Sequence, residues 1–265
     1  MSRPLLPDEL WEEIQPLLPP PEPRRFRFPG RKPLDRRKVL TGILFVLRTG
    51  ISWDDVPSEL GLGCGRTCRD YLQKLQAAGV WERLHVLLLS RLNHAGRLRW
   101  ELGIVDSSSA RAPLGGAETG PNPTDRRKLG SKLHVLTDAQ GIPMNVILSS
   151  ANTPDINRLL PLVVLTPAVG GKPGPPRRRF QRVLGDRGYD SEPHRALLRW
   201  LGITPILARR RTAHGSGLGT LRWVVERTNA WLHGFGRLRR RLDRLPELQT
   251  AFAHLACAII CSWFL

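Results

Sequence analysis

The sequence predicts an α/β protein in which a small all-α region comes before a mixed α/β domain. In the first hundred residues, apolar side chains recur at helical spacing. Further along the chain, short apolar runs of strand length alternate with amphipathic helical segments. These patterns divide the chain near residues 96–101, into a helical region of residues 1–98 and an α/β domain of residues 99–265.

The helical region begins with an expected helix at residues 8–18, which Asp8 would cap and which prolines end. Residues 19–33 (PPPEPRRFRFPGRKP) are rich in proline and arginine. This composition is typical of an extended arm that follows a DNA backbone, and equally of a plain linker.

Three further helical segments follow, with a glycine-rich turn before the last of them. They are expected at residues 35–49, 53–60 and 66–78. The arrangement suits a helix-turn-helix, in which the last helix enters the major groove of DNA, although any small helical bundle shows the same pattern. On that last helix, Arg66, Arg69 and Lys74 are expected to face outward and to bind DNA. Another apolar helix is expected at residues 80–92.

In the α/β domain, short apolar runs have strand character. They cover residues 102–107, 132–137, 143–149, 182–186 and 204–207. The sequence DAQG joins the second run to the third, which predicts a hairpin with Asp138 in its turn. Helices are expected at residues 157–164, 192–201 and 221–232, and loops at residues 112–127 and 167–179. The apolar stretch 251–265 is short for a bilayer span and contains His254, so we expect a buried helix there.

The chain of 265 residues is strongly basic, with 41 Lys and Arg against 23 Asp and Glu and a formal net charge of +18. Basic runs occur at residues 24–32, 36–38, 126–128, 177–182, 209–211 and 237–244. Because clustered positive charge releases counterions from nucleic acid, these runs favour a polyanionic partner over a generally basic surface. No signal peptide is visible, so we expect a cytoplasmic protein without a membrane partner.

The four cysteines form two pairs, Cys64/Cys68 and Cys257/Cys261, each with helical i,i+4 spacing. Structural zinc ligands are more often paired on a tight turn, with a matching second pair. A zinc site is therefore not favoured for either pair, Cys257 and Cys261 are expected to pack in the core on a helix, and disulfides are not expected in a reducing cytosol.

Three carboxylates are candidates for metal-ion chemistry. Asp106 ends the run LGIVD, Asp186 ends the run RVLGD, and Glu226 lies on the expected helix RWVVERTNAWL. If the two strands are neighbours, these side chains meet at one sheet edge, where they would hold two Mg²⁺ or Mn²⁺ ions roughly 4 Å apart for in-line phosphodiester displacement. Spacing alone is a weak indication, because an aspartate after a strand is more often a turn residue or helix cap.

Other polar residues compete with this trio. Asp155 is expected near the site, and Asp190 is expected to cap the helix that follows it. Tyr189 and Lys132 would either touch a substrate or serve packing and solvent exposure.

Long blocks of the sequence resemble the insertion-sequence-five family of transposases, within the DDE group that has an RNase H-like fold. LPDELWEEIQPLLP, GRKPLDRRKVLTGILFVLRTGISWDDVP and AAGVWERLH resemble the family's N-terminal region. VDSSSARA, TDRRKLGSKLHVLTDAQGIP and LGDRGYDS resemble its first two carboxylate blocks, and RWVVERTNAWLHGFGRLRRRLDR resembles its third. The resemblance covers nearly the whole chain, and because both ends match, a full-length chain is expected.

The resemblance implies an RNase H-like catalytic domain after a helical DNA-binding region, with Asp106, Asp186 and Glu226 as catalytic acids and ligands of two Mg²⁺ or Mn²⁺ ions. Hydrolysis would free 3′-hydroxyls at the transposon ends, and transesterification would join them to target DNA. The expected partners are terminal inverted repeats, target DNA and a second copy of the chain when DNA is bound.

The resemblance also assigns residues around Glu226. Arg222 matches the arginine of the related Y-R-E-K signature and would hold phosphate or orient Glu226. Gly219 stands at the tyrosine position and His233 at the lysine position, so the roles of these two positions stay open. DNA contacts are expected from Arg222, His233 and Lys132, although His233 is also an ordinary polar residue for a helix.

Three alternatives remain open at this stage. A decayed or domesticated transposase would bind the ends without cutting them. An RNase H-like nuclease would cleave structured DNA or RNA without joining strands. A zinc-stabilised binding module is supported by the cysteine pairs alone.

Overall fold

The computed structural model describes residues 4–21, 23, 26–27, 32–211 and 219–265. The expected arm at residues 19–33 and the basic run at residues 24–32 lie partly outside these residues.

The N-terminal region is all-α, as its apolar periodicity predicts. Its helices are α1 (Asp8–Ile14), α2 (Arg36–Thr49), α3 (Gly65–Ala77) and α4 (Val80–His94). Asp8 does not cap α1, because Pro7 holds the capping position and Asp8 is the first helical residue, paired with Arg37. Asp35 does cap α2, since its carboxylate accepts a hydrogen bond of 3.0 Å from the Lys38 N–H.

The segment between α2 and α3 differs from the helix predicted at residues 53–60. It forms two 3₁₀ turns, Trp53–Asp55 and Ser58–Leu60. Pro57 separates them, because proline keeps the preceding residue extended and offers no backbone N–H to an α-helix. Gly65 then begins α3 in direct contact with the first turn, where a Cβ atom would lie 1.6 Å from the Trp53 carbonyl oxygen.

A mixed sheet forms the centre of the α/β domain. Its strands are β1 (Leu102–Arg111), β2 (Gly120–Pro121), β3 (Leu129–Thr137), β4 (Pro143–Ser150), β5 (Arg182–Gly185) and β6 (Thr204–Leu207). β1 pairs antiparallel with β3 and parallel with β5, while β5 continues in parallel to β6 and β3 pairs with β2 and β4. The predicted hairpin is β3–β4, and the Asp138 carboxylate closes its turn by accepting from the N–H groups of Gln140 and Ile142.

β1 is longer than the predicted run at residues 102–107. The residues from Ser108 to Arg111 do not suggest a strand by composition, yet all of them pair with β3 in register. β2 likewise interrupts the predicted loop at residues 112–127 by pairing with the start of β3. Partner strands therefore extend the sheet beyond the residues whose own composition favours it.

Helices pack on both faces of the sheet. They are α5 (Ile156–Val164), α6 (Glu192–Trp200), α7 (Gly219–Gly234), α8 (Gly236–Arg239) and α9 (Pro246–Ser262). α7 lies on β1 and β3, where Val224 and Val225 pack against Leu102, Ile104 and Leu184. α5 packs on β3 and β4.

α9 is the buried C-terminal helix that the sequence predicts. It packs against α4, α3 and β4, and Cys257 and Cys261 are completely buried in it. Burial raises the pKa of the Cys257 thiol to about 12, as expected for a core residue. No helix in the described part of the chain is long and apolar enough to cross a membrane.

One continuous hydrophobic core includes both the N-terminal helices and the α/β domain. The Trp53 ring stacks on Phe252 of α9 with ring centroids 5.7 Å apart, and its Nε1–H donates to Asp243 over 2.9 Å. Packing therefore crosses the predicted boundary at residues 98/99.

Candidate functional site

Asp106 lies in the middle of β1, on the face that α7 covers. Its Oδ2 accepts a hydrogen bond of 3.0 Å from the Asn229 side-chain amide on α7. The side chain is 17% exposed. Burial raises the pKa of Asp106 to about 6, and the neighbouring Asp186 charge adds to this, against the lowering effect of the Ser107 N–H and Arg222.

Asp186 follows the last residue of β5. Because β1 and β5 are parallel neighbours, their carboxyl-terminal parts point to the same edge of the sheet, as the sequence hypothesis required. The Asp186 Oδ1 accepts from the Gly188 N–H over 2.8 Å, which caps the 3₁₀ turn Arg187–Tyr189. A Cβ atom at Gly188 would lie 2.9 Å from that oxygen, so this close turn favours glycine.

Glu226 and Arg222 lie one helical turn apart on α7. The Arg222 Nη2 is 3.6 Å from Glu226 Oε1, 3.9 Å from Asp106 Oδ1 and 4.0 Å from Asp186 Oδ2. The structure thus brings together the three acids that the sequence singled out, around one guanidinium group. Arg222 is 25% exposed and Glu226 is 58% exposed, so the cluster is open to solvent on one side.

The donor set suits a hard divalent cation. Three carboxylates offer the oxygen ligands that Mg²⁺ and Mn²⁺ prefer, and with Arg222 they leave an excess of negative charge. As the side chains stand, no group of three or more His, Cys, Asp or Glu in the described part of the chain is arranged to enclose a metal ion. Arg222 lies between the three acids, so metal binding requires its guanidinium to move aside.

Behind the trio, Asp155 organises a second polar cluster on the opposite face of β1. Its Oδ1 accepts from the Ser107 hydroxyl over 2.9 Å and from the Lys132 ammonium over 2.8 Å. Asp155 Oδ2 also lies beside Gly188, at 3.4 Å from the position of a Cβ atom there. Asp155 is therefore near the site, as the sequence suggested, and the Lys132 ammonium forms an ion pair with it.

Asn229 is a site residue that sequence reasoning missed. It lies three residues after Glu226 on α7, a spacing that puts two side chains on neighbouring positions of one helix face. That spacing was a usable signal, but only the tertiary contact with Asp106 shows what the amide binds.

The remaining candidates lie in different places. Arg66, Arg69 and Lys74 are exposed on α3, as expected. His233 lies near the end of α7, seven residues beyond Glu226, and is partly exposed. Tyr189 is almost completely buried, in agreement with a packing role.

Asp190 is not a helix cap. Ser191 holds the capping position of α6 and makes no side-chain capping bond. The Asp190 carboxylate instead pairs with Arg195 at 2.6 Å and accepts from the Arg210 N–H, which fastens the segment after β6 to the start of α6.

Comparison with known families gives two matches. Residues 6–85 match the family described as "Putative transposase of IS4/5 family", and residues 100–261 match the family "Transposase DDE domain". The second match contains Asp106, Asp186 and Glu226. With the mixed sheet and the helices before it, it identifies the fold as an RNase H-like α/β domain preceded by a helical region.

Two curated relatives come from Burkholderia cepacia. The "Putative transposase for insertion sequence element IS402" is 54% identical over 158 residues, which are 60% of this chain and 73% of that protein. The "Insertion element IS402 uncharacterized 16.2 kDa protein" is 53% identical over 123 residues, 46% of this chain and 84% of that protein.

Among solved structures, similarity is weaker. The Mos1 transposase paired-end complex with left transposon end is 11% identical, with a TM-score of 0.26 over 84% of this chain and 80% of that chain. The Mos1 strand transfer complex is 12% identical, with a TM-score of 0.27 over 87% and 80%. At this level of similarity, neither structure positions a residue of this chain.

Proposed function

This chain belongs to the family of DDE-domain transposases of insertion sequences, and on that premise we propose that Asp106, Asp186 and Glu226 are its catalytic acids. One observation supports this assignment above all others. Three carboxylates from β1, from the end of β5 and from α7 converge within 4.0 Å of a single nitrogen of Arg222. Like charges repel, so a cation beside such a cluster, either the Arg222 guanidinium or a metal ion, lowers the repulsion between its carboxylates.

The DDE domain implies the use of a divalent metal, and we infer two Mg²⁺ or Mn²⁺ ions held by the three acids. When bound, the ions activate the attacking water or 3′-hydroxyl and stabilise the leaving oxygen of a phosphodiester. Asn229 would hold the Asp106 carboxylate in its orientation through the bond to Oδ2, and the Gly188 N–H would do the same for Asp186.

Arg222 has two roles in this proposal. Without substrate, its guanidinium neutralises part of the acid cluster. With substrate, it would turn outward and bind a phosphate oxygen of the DNA, because the fork of a guanidinium fits phosphate well. Its Nε makes no hydrogen bond within the described part of the chain, so the side chain is not anchored in its present position.

DNA recognition is proposed to be shared between two regions, residues 1–98 and residues 99–265. Arg66, Arg69 and Lys74 on the exposed side of α3 would recognise the terminal inverted repeats. Lys132 and His233 would bind DNA closer to the catalytic acids. A homodimer would hold two transposon ends together for strand transfer.

The decisive experiment measures cleavage of a labelled duplex that carries the element's own end, with Mg²⁺ or Mn²⁺. Asp186→Asn should reduce nicking by more than about a hundredfold, because even changes to residues that only support metal ligands cost 10–100-fold. Binding to the same duplex should persist. Glu192→Gln is a matched control, since Glu192 is an exposed acid of α6 that pairs with Arg199 outside the trio.

The outcomes separate the alternatives. Binding by the wild type without any cutting would indicate a decayed transposase. Cutting without joining to target DNA would indicate a nuclease. Cutting that survives in the Asp186→Asn variant would show that the catalytic acids have been assigned wrongly.

A further inference from the structure

A basic cavity of about 940 Å³ lies beside the proposed catalytic site, between the loop before β3, the end of β1 and the α7–α8 junction. Its walls include the cationic side chains of Arg111, Lys128, Arg239 and Arg240, and one carboxylate, Asp125. Arg111 already neutralises Asp125, with 2.8 Å between Nη2 and Oδ1. The lining therefore has an excess of positive charge that no acid of the cavity compensates.

The cavity is lined by residues of two elements that also contain catalytic acids. β1 contains Asp106 and, three residues further on, Ser109 of the cavity, whose side chain points to the other face of the strand. α7 contains Glu226 and, seven residues further on, His233 of the cavity. Both spacings correspond to roughly 10 Å, at about 3.3 Å per residue of strand and about 1.5 Å per residue of helix. This equals about three nucleotides of a DNA strand, which advances roughly 3.4 Å per nucleotide.

His233 adds a second indication of a ligand. Its Nε2 is buried and has no hydrogen-bond partner within the described residues. Burial, and then the charge of Arg239, lower the pKa of His233, which favours the neutral ring. A buried polar atom without a partner calls for an explanation, and an ion or ligand bound at that place is one.

The loop at residues 122–128 has a backbone that its residue types do not favour. Arg126 and Arg127 have φ angles of 50° and 57°, so two consecutive arginines are in the left-handed region. Asn and Gly are the residues that adopt this conformation most readily. The loop is nevertheless well bonded, since the Asn122 N–H donates to the Lys128 carbonyl and the Asn122 carbonyl accepts from the Arg127 N–H. Strain of this kind is typical of functional segments.

We propose that this cavity and the loop at residues 122–128, together the basic pocket, bind the sugar–phosphate backbone of one DNA strand about three nucleotides from the cleaved bond. The pocket would hold the strand in register so that the scissile phosphate meets the acid trio. This inference rests on the proposed function for the identity of the substrate, but it concerns binding and not the chemical step.

The test uses full-length protein without divalent metal and the labelled duplex that carries the element's end. Arg239→Gln with Arg240→Gln should weaken binding and reduce the slope of log Kobs against log salt by roughly 2, one unit for each lost phosphate contact. Interference by ethylated phosphates should disappear about three nucleotides from the cleavage point and remain elsewhere. Arg178→Gln with Arg179→Gln is the control of equal charge, because these exposed residues belong to the loop after α5 and do not line the pocket.

A second variant keeps the test independent of folding defects. Arg126→Asn with Arg127→Gly should raise the Tm by roughly 2–6 °C, because the backbone strain is relieved, and should weaken binding to DNA at the same time. A stabilised variant that binds DNA as well as the wild type would overturn the proposal. So would equal losses in the Arg239/Arg240 and Arg178/Arg179 variants, with unchanged phosphate interference.

The pocket proposal and the proposed function can fail independently of each other. If Asp186→Asn abolishes cutting and the pocket variants leave binding and interference unchanged, the acid trio is correct and the pocket is not a DNA site. If the pocket variants lose the local interference while Asp186→Asn still cuts, the strand path is correct and the acids are not.

Discussion

The acid cluster at the sheet edge and the segment after α8 each contain a central arginine, and the two arginines are bound in opposite ways. Arg222 meets its three carboxylates only at 3.6–4.0 Å. Arg241 is 1% exposed and donates five hydrogen bonds of 2.7–3.1 Å. Its acceptors are the carbonyl oxygens of Asp243, Glu118, Ala117 and Arg244 and the hydroxyl of Ser131.

Arg241 therefore stabilises the fold, whereas Arg222 belongs to the candidate functional site. The guanidinium of Arg241 uses all five of its N–H donors, so it cannot leave without exposing buried carbonyls. The guanidinium of Arg222 contacts three acids at long distances and is partly exposed to solvent. A metal ion can therefore displace it from the acids, and a phosphate can draw it away from them, at a small cost in free energy. Contact length and burial, and not residue type, distinguish the two.

The largest expected effect is a loss of stability at Arg241, the buried arginine that supports the fold. Arg241→Met should destabilise the protein by about 3–5 kcal/mol, because the carbonyl groups that it binds lose their donor. This corresponds to a fall of roughly 10 °C in Tm for a chain of this size. Arg222→Met, measured beside it by thermal unfolding, should change stability by less than about 1 kcal/mol. Equal effects of the two substitutions would remove the distinction.

Two buried histidines also predict that the free energy of unfolding depends on pH. Burial lowers the pKa of His85 to about 3 and that of His134 to about 4, below the usual 6.5 of an unfolded chain. Between these values the unfolded chain binds more protons, so stability is complete above pH 6.5 and falls by a few kcal/mol on acidification towards pH 4. Asp138 and Asp106 oppose this, because burial raises the pKa of each to about 6 and their contributions fall as pH rises.

Denaturant unfolding at pH 7 and at pH 4.5 checks this prediction. His85→Gln keeps a donor for the Pro143 carbonyl, which the His85 Nε2 reaches over 2.7 Å, but it has no proton to gain. The variant should lose less stability than the wild type between the two pH values. An unchanged loss would mean that other groups control the acid sensitivity.

A smaller effect on thermal stability is expected from metal binding at the acid cluster around Arg222. In the wild type a divalent ion has to displace the Arg222 guanidinium from the acids, whereas in Arg222→Met the acids are uncompensated. Millimolar Mg²⁺ or Mn²⁺ should therefore raise the Tm of Arg222→Met by about 2–5 °C, and that of the wild type by less. Asp186→Asn should suppress the shift. A Tm that does not respond to metal in any of these proteins would contradict the proposed metal site.

The smallest stability effect is expected at α3. The Arg66 side chain is 88% exposed and reaches Asp70 only at 3.9 Å. Arg66→Ala should change the free energy of unfolding by no more than about 0.5 kcal/mol, while lowering the salt slope of DNA binding by roughly 1. Chemical denaturation and a salt titration on the same variant measure both quantities. A destabilised variant with normal DNA binding would assign Arg66 to the fold.

Several elements were predictable because their signals are local. Apolar periodicity predicts α2, α3 and α4, and turn chemistry predicts the β3–β4 hairpin. Asp106 and Asp186 each end an apolar run, Glu226 lies on a predicted helix, and the blocks around all three carry the family resemblance. Pro57 is also a local signal, because proline disfavours a continuous helix across residues 53–60.

What the sequence by itself determined was therefore the order of most elements and the basic character of the chain, because each depends on spacing or composition within a short segment, and its family resemblance singled out the acid trio as candidates. Only the tertiary structure decided that the basic run at residues 237–244 divides into buried Arg237 and Arg241 and exposed Arg239 and Arg240. It alone showed the extension of β1, the amide of Asn229 on Asp106 and the central position of Arg222. These features depend on contacts between residues far apart in the chain. A short stretch of sequence does not show which distant residues folding brings together.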